Sequence, residues 1–191
     1  METLLIISSV LLWLVVLANV LLTLALVRRI NANTPKPQGL PAGASAPDFK
    51  AERLNGETVT LAAYTGLGHT IAFLFISTHC APCRDILTTL KGHEAAARQA
   101  GIELVLVSGD EREDTEALRA ELELELPLLI APRASNPFFT DYKISATPSF
   151  CLLNQQGKVQ SSGIPSVQGG DWKALIDTWT TVEAFPVGER R

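Results

Sequence analysis

The apolar run Thr70–Ile76 ends three residues short of Cys80-Ala81-Pro82-Cys83, and this junction constrains the chain more than any other stretch. A continuous apolar run of this length reads as a strand buried on both faces. Two cysteines separated by two residues where a strand becomes a helix form a dithiol site. A helix starting near Pro82 places Cys80 at its N-terminus, where unpaired N–H groups and the helix dipole favour an anion. A thiolate forms there at lower pH than in a free cysteine, and the thiolate is the nucleophile. Cys83 lies about one turn on, within reach of a disulfide formed on Cys80. Pro82 suits the first turn, where its missing N–H costs nothing.

Half of a zinc site looks the same, but zinc needs two further ligands at compatible spacing. The remaining candidates are Cys151, His69, His79 and His93, with no second C-x-x-C and no H-x-x-x-H. The expectation is therefore a redox pair and no metal. Cys151 lies in the apolar stretch Phe150-Cys151-Leu152-Leu153 and reads as a small buried hydrophobe rather than a third redox group. Three cysteines do not make the disulfide framework of a small secreted domain.

Residues 4–27 are uncharged and mostly aliphatic, a run of 24 that exceeds the roughly 20 needed to span a bilayer. No basic segment precedes the run, and it is longer than a cleaved signal core, so residues 1–30 read as an uncleaved single-span anchor. Arg28 and Arg29 follow it, which by the positive-inside rule places the rest of the chain in the cytoplasm. Without residues 1–30 the chain holds 14 basic and 19 acidic residues, a net charge of −5. No basic patch interleaved with aromatics is present, which argues against a nucleic-acid partner. Residues 31–46, with proline at 35, 37 and 41, read as an extended tether.

The folded domain is expected over 47–183, with a tail at 184–191. Leu54-Asn55-Gly56-Glu57 signals a turn before a short strand from Thr58. After the strand at 70–77, one helix is expected from Pro82 to Gly101, with Ile86, Leu87 and Leu90 on its buried face. A strand at 102–107, a charged amphipathic helix at 110–122, a strand around 128–130 and a short helix at 136–142 follow. A strand after Pro148, a turn at 154–157, a strand near 158–162 and a helix at 172–181 capped by Asp171 complete the chain. Alternating strands and helices with a parallel crossover indicate an α/β domain.

These residues resemble the thioredoxin superfamily, and within it the membrane-anchored TlpA/ResA-type proteins. The layout of anchor, proline-rich tether, Ala46-Pro47-Asp48-Phe49, Phe75-Ile76-Ser77 before the cysteines and Thr147-Pro148-Ser149-Phe150 is most similar to the MauD branch, the methylamine-utilisation accessory proteins. The resemblance implies a thioredoxin-like fold, a central mixed sheet flanked by helices. It implies a cis peptide before Pro148, with Thr147 presenting backbone to a bound client protein. It implies thiol–disulfide exchange by Cys80 and Cys83 with extracytoplasmic client proteins, no cofactor beyond that disulfide, and a membrane thiol-electron carrier as partner. It places the domain on the outer face of the membrane, against the arginines.

The chain departs from thioredoxin in three ways. Leu74 stands where thioredoxin has a buried acid, six residues before the first cysteine, and His79 stands in place of its tryptophan. A protonated His79 would stabilise the Cys80 thiolate; a solvated loop histidine is the alternative. Ala81-Pro82 differs from the thioredoxin pair, so its reduction potential does not transfer. Two other functions share these residues. Ser77 stands three before Cys80, as a hydroxyl does in peroxiredoxin-like thiol peroxidases, although Phe73 replaces their proline. A copper carrier would use Cys80, Cys83 and a histidine as soft ligands.

Overall fold

The computed structural model describes residues 1–33, 38–65 and 69–165. The expected helix at 172–181 and the tail at 184–191 lie outside the described residues. The chain divides into two units, Met1–Lys36 and Pro37–Arg191.

The described residues of the first unit form one helix, α1, Glu2–Asn33. It runs past the apolar stretch. Its segment Ile6–Leu26 is long and apolar enough to cross a membrane. Apolar side chains stand exposed along it, Ile6, Trp13 and Leu22 among them. A helix apolar on all sides is what a bilayer accommodates.

Among the described residues, the second unit is built on a seven-stranded mixed sheet in the order β2-β1-β5-β4-β3-β6-β7. The strands are β1 Lys50–Arg53, β2 Thr58–Thr60, β3 Thr70–Ile76, β4 Ile102–Ser108, β5 Leu128–Ile130, β6 Ser149–Leu153 and β7 Val159–Gly163. The strands β3, β4 and β5 are parallel to one another; β6 and β7 on one side, and β1 and β2 on the other, run antiparallel to their neighbours. The helices are α2 Ala81–Leu90, α3 Glu94–Gln99, α4 Arg112–Leu122 and α5 Phe138–Asp141. This is the expected thioredoxin-like arrangement.

The sheet separates two cores, and the pleat of β3 explains why its whole length is apolar. Ala72, Leu74 and Ile76 face a layer with Cys83, Ile86, Leu87 and Leu90 of α2 and Leu118 of α4. Ile71, Phe73 and Phe75 face the other side, with Phe49, Tyr64, Phe138 and Tyr142. There Phe49 stacks on Phe138 at 3.9 Å, with Phe73 edge-on to both. Such pairs add about 0.5–1.5 kcal/mol beyond area burial.

Two expectations need correction. The single helix from Pro82 to Gly101 is two, α2 and α3, broken at Lys91-Gly92-His93. Gly92 is a poor helix interior residue, by about 1 kcal/mol relative to alanine. The break lets α3 tuck Ala96 and Ala97 into the core. The stretch read as tether is also divided. Residues 31–33 end α1, and residues 38–46 are bound to the domain. Gly43 N–H donates to Val159 O at 2.8 Å, Ala46 N–H to Gly157 O at 2.9 Å, and Leu40 is buried. The strand β1 carried no clear sequence signal, since only Ala51 of its four residues is buried.

Candidate active site

Cys80 and Cys83 lie where β3 gives way to α2, at the C-terminal edge of the parallel strands, where open α/β sheets place their ligand sites. The two sulfurs are joined as a disulfide, with Cα atoms 5.3 Å apart. Cys80 is the N-cap of α2, with Ala81-Pro82 in the first turn. The Cys83 N–H donates to Cys80 Sγ at 3.2 Å. That hydrogen bond, with the positive end of the helix, stabilises negative charge on Cys80 once the disulfide opens. The sulfurs differ in access. Cys80 is half-buried and Cys83 fully buried beside Leu74, Ile86 and Leu87. Leu74 therefore puts a hydrocarbon side chain in place of the acid, and among the described residues no carboxylate is buried.

The Thr147–Pro148 peptide is cis, and the Thr147 carbonyl oxygen lies 3.4 Å from Cys80 Sγ. Residues 67 apart in sequence thus form one surface around the outer sulfur. His79 is exposed on the loop before Cys80.

That loop is held by a carboxylate the sequence reading missed. Asp110 follows β4, and its Oδ2 accepts the Thr78 N–H at 2.5 Å and the Thr78 hydroxyl at 2.9 Å. Burial alone raises the Asp110 pKa. The Thr78 amide and hydroxyl, then the Ser77 hydroxyl and the charge of His79, outweigh that and hold it below the usual carboxylate value. Ser77 O in turn accepts the Cys80 N–H at 3.2 Å. The available signal was topological: β3 and β4 are parallel neighbours, so residues just beyond their C-terminal ends converge.

The other candidates lie elsewhere. His69 precedes β3, about 20 Å along the strand from the cysteine end. It lines a surface groove of about 360 Å³ with Glu94, Arg98 and Glu103. His93 sits in the turn after α2, about 15 Å along that helix from Cys80. Cys151, on β6, is 1% exposed, and burial pushes its thiol up to about 12. Among the described residues no three histidine, cysteine or carboxylate side chains gather as a metal site.

Comparisons with known proteins agree with this geometry. Residues 42–162 match the AhpC/TSA family. The thioredoxin-like protein YneN of Bacillus subtilis is 25% identical over 145 residues, 74% of this chain and 82% of the relative. A thiol:disulfide interchange protein from Bacteroides sp. superposes with a TM-score of 0.59 at 24% identity, covering 78% of this chain and 92% of the other. A secreted Mycobacterium tuberculosis disulfide oxidoreductase, homologous to E. coli DsbE, superposes with a TM-score of 0.56 at 15% identity, over 70% and 95% of the two chains.

Proposed function

We propose that this chain, which belongs to the AhpC/TSA family, is a thiol–disulfide oxidoreductase that exchanges disulfides with extracytoplasmic client proteins from a single-span membrane anchor. One observation carries the reading: the Cys80–Cys83 pair caps a helix N-terminus with one sulfur accessible and the other buried, beside the Thr147 carbonyl.

The exchange balances on these two residues. In the reducing direction the Cys80 thiolate attacks a client disulfide, forming a Cys80–client bond and expelling the second client sulfur as a thiolate. The Cys83 thiol gives up its proton and attacks Cys80 Sγ. The Cys80–Cys83 bond forms, the remaining client thiol leaves, and two electrons have passed to the client. The same steps in reverse donate a disulfide. Thr147 backbone beside Cys80 pairs with the client strand flanking its cysteine. A membrane thiol-electron carrier resets the pair.

The anchor is α1. The outer-face placement is supported by where disulfides persist, and opposed by Arg28 and Arg29. Assignment to the MauD branch rests on the layout of anchor, proline-rich segment and motifs. The peroxidase and copper readings have less support: the Ser77 hydroxyl is engaged by Asp110, and His69 and His93 lie far from the sulfurs, which leaves only the exposed loop residue His79 beside them.

Cys83→Ser tests the function. The variant cannot resolve the intermediate, so client proteins should accumulate as mixed disulfides on Cys80, seen as dithiothreitol-sensitive adducts on non-reducing gels. An active wild type whose Cys83→Ser variant traps nothing would refute the reading.

A further inference from the structure

The loop that presents Thr147 is held from a distance by one side chain at the start of the domain. Gln38 Nε2 donates to Ser145 Oγ at 2.6 Å. Gln38 Oε1 accepts the Ser145 N–H at 3.2 Å and the Ala146 N–H at 3.4 Å, and lies 3.3 Å from the Ser149 hydroxyl. A glutamine amide offers two donors and one oxygen acceptor, and here both kinds of group point into a single loop, 145–149, with Thr147 and Pro148 between the contacts.

The glutamine is itself fixed. Gly39 N–H donates to Lys143 O at 3.1 Å, just before the same loop. The Ser162 hydroxyl donates to Leu40 O at 2.6 Å. Gly39 has φ +87°, and a Cβ there would stand 2.4 Å from Ser162 Oγ, so the close approach of residue 39 to β7 requires glycine. Nothing in the local sequence demands the Gln38 side-chain contacts, which join residues 107 to 111 positions apart.

We propose that Gln38 is a positioning residue that clamps the loop 145–149 in the conformation that binds client backbone. The inference rests on the disulfide-exchange reading, in which Thr147 meets the client. Gln38 touches neither sulfur, so its effect falls on client binding more than on sulfur chemistry. A loop that holds the competent shape only part of the time binds more weakly in proportion to that fraction.

The test uses full-length protein in detergent micelles with two probes. Insulin, reduced catalytically with dithiothreitol, supplies a disulfide embedded in backbone. The small disulfide 5,5′-dithiobis(2-nitrobenzoate), reacted once with pre-reduced protein, supplies one without. Gln38→Leu should lower the ratio of insulin kcat/KM to small-disulfide rate constant about tenfold, mainly through a higher KM. Gln38→Glu keeps an oxygen acceptor for the two amides and accepts the Ser145 hydroxyl proton instead. It should restore the ratio to within about twofold of wild type. An unchanged ratio in Gln38→Leu, or an equal fall in both variants, overturns the clamp. If Gln38→Leu does not fold, the Gln38→Glu ratio decides alone: a tenfold fall there overturns the acceptor role. A wild type inactive toward both probes overturns the exchange reading and the clamp with it.

Discussion

Replacing Asp110 with alanine removes the acceptor shared by the Thr78 amide and hydroxyl. Thr78 is 6% exposed, so water does not readily replace the lost oxygen. A stranded buried donor costs about 1–3 kcal/mol. The hydroxyl can rotate toward another acceptor and the amide cannot, so the expected loss is about 2–4 kcal/mol. For a chain of this size each kcal/mol moves Tm by about 2–4 °C, which gives a fall of roughly 4–16 °C. Asp110→Asn keeps an oxygen acceptor without its charge and should lose only about 1 kcal/mol. The pH dependence has a fixed sign. The folded pKa of Asp110 lies below the ordinary carboxylate value. Its contribution is therefore full at neutral pH and fades as pH falls below about 3.9 through the folded value. The assay is thermal unfolding of full-length protein in detergent, followed by near-UV circular dichroism at pH 7 and in acid. Asp110→Ala within about 1 °C of wild type at pH 7, or a gap to Asp110→Asn that widens in acid, would refute the reasoning.

Other outcomes follow from exposure and packing. Once reduced, Cys80 should be alkylated by iodoacetamide at least about tenfold faster than buried Cys83; equal rates on peptide mapping would contradict the division of roles. Cys151, its thiol pushed up to about 12, should stay unlabelled in native protein at pH 8 and react only after denaturation. Phe138→Ala, beneath Phe49 and Phe73, should cost about 3–5 kcal/mol in denaturant unfolding, and a loss under about 1 kcal/mol would show that the aromatic cluster repacks. With intact cells, a membrane-impermeant thiol reagent should reach Cys80 if the domain faces outward; labelling only after lysis would vindicate Arg28 and Arg29.

What could be read in advance was local. The strand β3 announced itself by six apolar residues in a row, Ile71–Ile76, and the cysteine pair at the helix start by its spacing and Pro82. The alternating acidic and leucine run Glu121–Leu126 reads at its start as the end of α4 and at its last part as the entry to β5, and the helix does end at Leu122, with Glu123 left-handed at φ 47°. The unread parts depend on partners far along the chain. Asp110 meets Thr78 across 32 residues, and Gln38 meets Ser145 across 107. Polar residues of this kind carry no periodicity, and their value appears only when the sheet order is known. The strand β1 has the same difficulty: it lies between β2 and β5, and its charged side chains make surface ion pairs, Glu52 with Arg112 and Arg53 with Glu57.

The backbone of residues 43–45 has a consequence for the behaviour of many copies together. Among the described residues β7 is the last strand on one side of the sheet, and a bare terminal strand offers a row of unused donors and acceptors to any similar strand nearby. Here Val159 N–H donates to Ala44 O, Gly43 N–H to Val159 O, and Ser45 bridges Lys158. The segment leading into the domain thus occupies part of that rim itself. With α1 as the proposed anchor, copies of the domain would meet in two dimensions and at high local density, where strand-to-strand self-association is most easily seeded. A deletion of residues 38–46 should make the protein aggregate more readily than the full chain, as light scattering would show, while leaving both cysteines in place.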